Sequence, residues 1–211
     1  MNITEQEKAW NELAKVWKGY RTRPFKDVEA LLSLLSSSKK GKILEIGCGN
    51  CRNLLPFAKA GFECYGIDFS KEMLKFAEQF ARKNEVRIQL KQARAEKLPF
   101  KSNSFDYVLN IAVLHHLKKK EQVLAVKEMF RILKPEGKAL ISVWNKLNPK
   151  FWKFLLKKEI FIPWKINDKT CWRYYYFFSF WELKKLIKKA GFKIIKSSSP
   201  FARNISFIIK K

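Results

Sequence analysis

The sequence predicts an α/β protein with a parallel, doubly wound sheet. Short apolar runs alternate with amphipathic stretches of about ten residues through the middle of the chain. Two glycines, Gly47 and Gly49, directly follow the first of these runs, and an acid, Asp68, ends the second. Turn residues close several of the segments, with Gly61 after one helix and Pro135 and Gly137 before a strand.

In order, residues 5–20 and 26–36 keep helical spacing, and Lys42–Ile46 is a short apolar strand ending at Gly47. A helix is expected from Asn53 to Ala60, then a strand over residues 62–67 that delivers Asp68. Ser70 is placed to cap the next helix, whose apolar face carries Met73, Leu74, Phe76, Ala77 and Phe80. Val86–Leu90 alternates like a strand, and Phe105–Ile111 reads as a buried one. A helix over Val123–Leu133, a turn at Lys134–Gly137 and a strand over Lys138–Val143 follow. Near the end, Ser179 and Glu182 form a capping box for a helix reaching Ala190, and residues 192–196 and 204–209 look like a closing β-hairpin.

The chain has 211 residues, 44 Lys and Arg, 19 Asp and Glu, and a formal charge of +25. Hydrophobic residues at 47% and aromatics at 15% exclude a disordered basic tail, because there is material for a core. No uncharged apolar run reaches the roughly 18 residues a spanning helix needs. The first residues match neither a signal peptide nor a transit sequence, and four cysteines without framework spacing suit a reducing cytoplasm. The expected organisation is one domain over residues 1–211, in four parts. These are N-terminal helices (1–40), a cofactor-binding core (41–143), a basic aromatic insertion (144–178), and a closing helix and hairpin (179–211).

The charge is uneven. Residues 41–143 carry a net +8, whereas residues 144–211 carry +14 over a shorter span. From Trp144 to Trp181, 14 of 38 positions are aromatic, with Lys and Arg interleaved among them. Aromatic faces stack on unpaired bases while cations neutralise phosphates. The same composition also suits a small aromatic core with snorkelling lysines, or a segment at a membrane surface.

Glu45-Ile46-Gly47-Cys48-Gly49-Asn50 ends a strand and opens a helix, with Asp68 at the end of the next strand. Glycines admit close backbone approach to a ligand, and a carboxylate accepts both hydroxyls of a ribose. A dinucleotide or S-adenosylmethionine satisfies that pattern. Arg52 stands where the dinucleotide fingerprint wants a small residue, which favours the methyl donor. Cys48-x-x-Cys51 has metal-ligand spacing, but only Cys64 and Cys171 remain to complete a site, so no metal is expected. His115 and His116 are the only histidines and fall just beyond a strand end, where one can meet a substrate.

Several further segments carry a resemblance: Ile43–Asn50, Gly66-Ile-Asp-Phe-Ser70 with Met73, Glu96–Phe100, Asp106–Asn110, His115-His116-Leu117 and Leu133–Gly137. Over residues 41–143 the chain resembles the class I S-adenosylmethionine methyltransferases. The resemblance implies a Rossmann-like fold with a mostly parallel seven-stranded sheet, helices on both faces and a C-terminal β-hairpin. By position it places Glu45, Gly47, Cys48 and Gly49 along the donor's amino-acid portion and Asp68 on the ribose. Phe69 and Met73 then flank the adenine, Ala95 meets its edge, and Asn110 and Ala112 form the floor. Cys51 stands where the family usually has glycine, and Arg94 where it often has aspartate.

The loop after the fourth strand reads Asn110-Ile-Ala-Val113, without the Asn/Asp-Pro-Pro-Tyr signature of amine methylation, and no Pro-Cys nucleophile occurs. A carboxylate acceptor needs neither, because its pKa near 4 leaves it ionised at neutral pH. Trp10–Trp17, Arg21-Thr-Arg-Pro-Phe25, Val143-Trp-Asn145 and Arg173-Tyr-Tyr-Tyr-Phe177 resemble the tRNA wobble-uridine carboxymethyl methyltransferases, which include the methyltransferase domain of an AlkB-type tRNA hydroxylase. That resemblance implies esterification of 5-carboxymethyluridine in the tRNA anticodon loop, in the cytoplasm, with a small zinc-binding activator as a possible partner. It also implies roles for Arg23 and Arg173, and an RNA or substrate pocket of Arg23, Trp144, Arg173, Tyr174, Tyr175 and Tyr176; with His116, from its place beyond a strand end, Arg23 and Arg173 are the catalytic candidates. Tyr176 replaces the family's usual histidine. The alternatives are a small-molecule methyltransferase of quinone or lipid type and a catalytically silent RNA-binding protein of the same fold.

Overall fold

The computed structural model describes residues 3–17, 22–35, 40–154, 156–166 and 169–211. Two helices, α1 (Ile3–Trp17) and α2 (Lys26–Leu34), precede the sheet. The chain then alternates through β1 (Lys42–Ile46), α3 (Leu55–Lys59), β2 (Glu63–Asp68), α4 (Lys71–Lys83), β3 (Ile88–Gln92), β4 (Phe105–Ile111), α5 (Lys119–Ile132) and β5 (Leu133–Trp144). A ribbon of β6 (Glu159–Ile166) and β7 (Lys169–Tyr176) follows, and α6 (Phe180–Lys189), β8 (Lys193–Ser197) and β9 (Asn204–Lys210) close the chain. Residues 18–21, including Arg21 and the expected end of the first helix, lie outside the described residues, as does residue 36 at the end of the second.

Seven strands form one sheet in the order β3-β2-β1-β4-β5-β9-β8. Strands β1 to β5 pair in parallel, and β9 runs antiparallel to β5 and β8. This is the Rossmann-like, mostly parallel sheet with a C-terminal hairpin that the sequence predicts. Its central strands are apolar on both sides. Ile43, Leu109, Leu140 and Ile208 enter the core beneath α2 and α3, whereas Leu44, Val108, Ile141 and Phe207 enter the core beneath α5 and α6. Each such side chain contributes about 1.5–3 kcal/mol on burial. Strand order reverses at β1, which lies between β2 and β4, so a crevice opens beyond the carboxyl ends of those strands.

Local chemistry sets the ends of several elements. The Ser70 hydroxyl accepts the Met73 amide at 3.1 Å, and the Ser179 hydroxyl accepts the Glu182 amide at 3.2 Å, so both predicted caps form. Helix α3 starts at Leu55, not Asn53, because the Asn53 side chain is engaged elsewhere: Nδ2 donates to Glu45 Oε1 at 2.6 Å and Oδ1 accepts the Phe25 amide at 2.8 Å. Helix α5 starts four residues earlier than the apolar spacing suggests, since the Glu121 carboxylate accepts the Lys118 amide at 2.9 Å and caps it there. The expected turn at Lys134–Gly137 is absorbed into β5 as a bulge: Leu133 pairs with Phe105 and Lys138 with Tyr107. Lys134 Nζ reaches Asp106 Oδ1 at 2.8 Å across that bulge.

The aromatic stretch, for which the sequence shows no strand pattern, is the β6–β7 ribbon, separate from the main sheet. Its register pairs Phe161 with Tyr174 and Ile162 with Arg173. One face carries Ile162, Trp164, Arg173 and Tyr175 inward, and Phe161 and Trp172 are about half exposed on the other.

Candidate functional site

One cleft of about 280 Å³ runs from the carboxyl ends of β1 and β2, past the end of β4, to the inner face of the β6–β7 ribbon. At its first end lie Glu45, Gly47, Cys48, Gly49, Asp68, Phe69, Met73, Ala95 and Ala112. Gly47 has φ +67°, and an added Cβ there would sit 2.4 Å from a Val113 methyl, so this position demands glycine. Gly49 has φ +53° and nothing within 4 Å of its would-be Cβ, which leaves room for a ligand against the backbone.

Two carboxylates are buried at this end. Asp68 Oδ2 accepts the Gly49 amide at 3.0 Å and Oδ1 accepts the Ser70 amide at 2.9 Å, and each oxygen keeps a further lone pair. Burial still raises the Asp68 pKa to about 6 against those bonds. Glu45 is 1% exposed, and burial raises its pKa to about 8, opposed by the Asn53 hydrogen bond and the Arg52 charge. Glu45 Oε2 has no hydrogen-bond partner among the described residues. An open backbone cradle beside buried acceptors with spare lone pairs fits a ligand that brings a cationic amine and ribose hydroxyls. S-adenosylmethionine has both.

The other end is aromatic and cationic. Trp144 and Tyr175 stack with ring centroids 4.5 Å apart, and His115 stacks on both. Trp10 of α1 meets His116 edge-on at 4.9 Å. The Arg173 guanidinium is only 6% exposed and lies 4.7 Å from the Trp164 centroid and 5.2 Å from that of Tyr175. The two histidines are fixed as different tautomers. His115 Nδ1 accepts the Trp144 amide at 3.2 Å, so its proton is on Nε2. His116 Nδ1 lies 3.0 Å from the Tyr174 carbonyl, which can only accept, so Nδ1 carries the proton and Nε2 is an acceptor. Burial chiefly, with the Arg173 charge adding to it, pushes the His116 pKa down to about 3, so this imidazole is neutral at pH 7 and a weak base.

Three expected site residues stand elsewhere. Arg23 is exposed and is not among the residues lining the cleft; its segment leads into α2, with the Phe25 amide donating to Asn53 Oδ1. Asn110 is fully buried but shares the strand face of Val108, towards α5, so Ile111 and Ala112 line the cleft instead. Neither polar atom of its carboxamide has a partner among the described residues. Tyr176 points away from the cleft, and its hydroxyl donates to Glu182 of α6. The cleft also recruits residues that the motifs passed over, among them Gln6, Asn53 and Glu121, and Glu96, which a motif contains but to which no site role was given. Their contribution depends on distant elements meeting, and only the Glu45–Asn53 spacing, eight residues across one turn, leaves any trace in the sequence.

A family described as a methyltransferase domain matches residues 44–141. The chain belongs to the class I S-adenosylmethionine-dependent methyltransferases, with that compound as its methyl donor. It is 34% identical over 203 residues to a demethylmenaquinone methyltransferase of Staphylococcus carnosus, covering 89% of this chain and 78% of that enzyme. It is 27% identical over 168 residues to a ubiquinone biosynthesis O-methyltransferase of Rickettsia canadensis, covering 79% of this chain and 69% of that one. The fold matches the CcbJ methyltransferase of Streptomyces caelestis with a TM-score of 0.77 at 16% identity, over 97% of this chain and 98% of that one. Both sequence relatives are named for quinone substrates and neither for tRNA, so they do not support the expected wobble-uridine membership.

Proposed function

We propose that the protein methylates an ionised oxygen on a planar, small-molecule acceptor of the quinone-precursor kind. One observation carries this reading: the buried Arg173 guanidinium, set between the Trp164 and Tyr175 rings, at the opposite end of the cleft from the two buried acids. At that aromatic end both histidines are in neutral forms. An acceptor therefore has to arrive as an anion or lose its proton beside a cation. Arg173 pairs with that anion and lowers the pKa of a phenol or acid placed against it.

The donor supplies a methyl group on a cationic sulfonium. Glu45 and Asp68 hold its amino-acid and ribose portions, and the glycine loop lets it lie against the backbone. Trp144, Tyr175 and His115 provide flat walls that orient the acceptor ring and exclude water, which leaves the oxygen poorly solvated for an in-line displacement. His116 Nε2 accepts a hydrogen bond from a neighbouring hydroxyl of the acceptor and helps to hold the ring in place.

A second reading is the ester of 5-carboxymethyluridine in tRNA, with an activator protein as a further candidate partner. Arg173, Tyr174 and Tyr175 of the flanking motif do line the cleft, and Phe161 and Trp172 stand exposed on the ribbon's outer face in the most basic third of the chain. One experiment separates the two. The protein receives methyl-labelled donor with either hydroxylated benzoquinol precursors or tRNA bearing 5-carboxymethyluridine, and the products are identified by mass. A labelled methyl ether on the ring supports the first reading. A methyl ester on the nucleoside, with RNA affinity falling steeply between about 50 and 200 mM salt, replaces it with the second.

A further inference from the structure

Beside the acceptor end of the cleft, the fold leaves several large apolar side chains uncovered. Strand β5 ends at Trp144, and the chain then forms a loop and a short 3₁₀ turn over Pro149–Phe154. This stretch is fastened to the loop that precedes β9. The buried Asn145 carboxamide donates to the carbonyls of Pro200 at 2.8 Å and Ala202 at 2.7 Å. Asn148 Nδ2 donates to the Arg203 carbonyl at 3.1 Å. Phe151 pins the turn from inside: it is buried, stacks on Trp144 at 4.9 Å and lines the cleft. Two loops far apart in the chain are thereby joined.

Their outward side is apolar and cationic. Trp152 is 64% exposed, and its Nε1 donates to the Leu147 carbonyl at 3.3 Å, so the indole has its polar group satisfied within the protein. Leu147 is 41% exposed, Leu156 98%, and Phe201, on the fastened loop, 79%. Lys150, Lys153, Lys157 and Arg203 are exposed in the same two segments. Residues 145–158 and 198–204 contain no aspartate or glutamate. An exposed apolar patch rimmed by charge marks a surface that a partner covers. The cations call for an anionic partner, and both RNA and a lipid surface are anionic. Bases stack on flat rings, to which leucines add nothing. The boundary of a bilayer takes leucine, phenylalanine and tryptophan alike, while lysine and arginine reach back to the phosphates. The leucines therefore favour lipid.

We propose that this face docks on a bilayer containing anionic lipid. Leu147, Trp152, Leu156 and Phe201 enter the boundary between headgroups and acyl chains, and Lys153, Lys157 and Arg203 meet the headgroup phosphates. Phe151 faces the cleft while its neighbour Trp152 faces lipid, so an amphiphilic acceptor enters the cleft past this turn. That entry rests on the small-molecule reading above; the docking rests on these residues alone and is measured without donor or acceptor.

Flotation of the intact protein with vesicles tests this, using phosphatidylcholine alone or with about 30% phosphatidylglycerol. The wild type is expected to bind the anionic vesicles about tenfold or more tightly than the neutral ones. A chain of charge +25 is drawn to any anionic surface, so three triple variants at exposed positions separate the patch from that general attraction. Lys153→Gln with Lys157→Gln and Arg203→Gln is expected to lower affinity about a hundredfold, at about fivefold for each cation. Lys83→Gln with Arg87→Gln and Lys91→Gln removes the same charge around β3, at the far edge of the sheet, and is expected to cost less than about threefold. Trp152→Ala with Leu156→Ala and Phe201→Ala leaves the charge unchanged and is expected to cost about tenfold or more. Equal losses in the two cation variants overturn the proposal, because the attraction is then general. An apolar variant that binds like the wild type overturns it too, as does a wild type that binds neither kind of vesicle or both equally. Binding of tRNA but not of vesicles, lost with Lys153, Lys157 and Arg203, overturns it in favour of RNA as the partner of this face.

Discussion

The two ends of the cleft are built from opposite materials. The donor end is backbone and acid, with Gly47 and Gly49 in left-handed conformations and the carboxyl groups of Glu45 and Asp68 buried beside them. The acceptor end is aromatic ring and cation, with Arg173 between Trp164 and Tyr175. On the proposed reading, a cationic donor settles among acids and an anionic acceptor beside a guanidinium, and the electrostatics oppose their exchange. It also explains the neutral histidines. In that reading catalysis depends on bringing opposite charges to a shared centre, so a general base has little to add.

The comparison breaks most visibly at Asp68. Asp68→Ala removes the acceptor for the Gly49 and Ser70 amides as well as the carboxylate proposed to hold the ribose. Donor affinity is expected to drop by about a hundredfold in calorimetry, from charge-assisted bonds of about 1.5–3 kcal/mol each. A change of less than about threefold there would move the donor away from this end.

At the other end, Arg173→Ala is expected to lower kcat/KM for the acceptor by about a hundredfold while donor affinity stays within about twofold. Equal losses in both quantities would show that the two ends are not separate.

Acidity sharpens the contrast further. The Glu45 pKa is raised to about 8 and that of Asp68 to about 6, so in the empty protein both groups hold protons that the unfolded chain releases near pH 4. The ligand-free protein is therefore expected to lose stability as pH rises from about 4.5 to 8, because the unfolded state binds fewer protons over that window. Binding a cation at Glu45 expels its proton, so donor affinity is expected to rise about tenfold for each unit between roughly pH 6 and 8. Glu45→Gln flattens that slope. Melting curves and titrations at several pH values check both signs, and a slope unaltered in Glu45→Gln would assign it to another group.

Smaller effects are expected outside the cleft. Tyr176→Phe loses the hydrogen bond to Glu182 and about 1 kcal/mol of stability, with turnover unchanged. Arg23→Ala, at an exposed position, is expected to alter turnover of a small acceptor by less than about twofold. A large loss confined to RNA would favour the tRNA reading.

The donor end was the more legible part in the sequence, because it is local. A strand, a glycine loop and an acid at the next strand end are consecutive in the chain, and Glu45, Gly47, Gly49 and Asp68 all stand on the cleft wall. Motif position misled at Asn110, whose side chain shares the face of Val108, whereas Ala112, beyond the end of β4 with φ +60°, lines the cleft. The acceptor end was legible in composition and in the flanking motifs, which named Trp144, Arg173, Tyr174 and Tyr175 of the cleft wall. The density of rings around Trp144–Trp181 marked it, but not that Tyr175 faces the cleft and Tyr176 the helix α6. On a strand, neighbours diverge by construction, and only the ribbon's docking determines which of them meets the substrate.

Local sequence set the alternation of strands and helices, the caps at Ser70 and Ser179, and the glycine loop before an acid. Each of these depends on residues a few positions apart, where backbone sterics and side-chain reach decide the outcome. Tertiary structure alone decided that the β6–β7 ribbon covers the crevice and that α1 brings Trp10 to His116. It likewise decided that burial drives Glu45 and His116 in opposite directions from their ordinary protonation. Desolvation is a property of everything packed around a group, and most of what surrounds these two comes from distant parts of the chain.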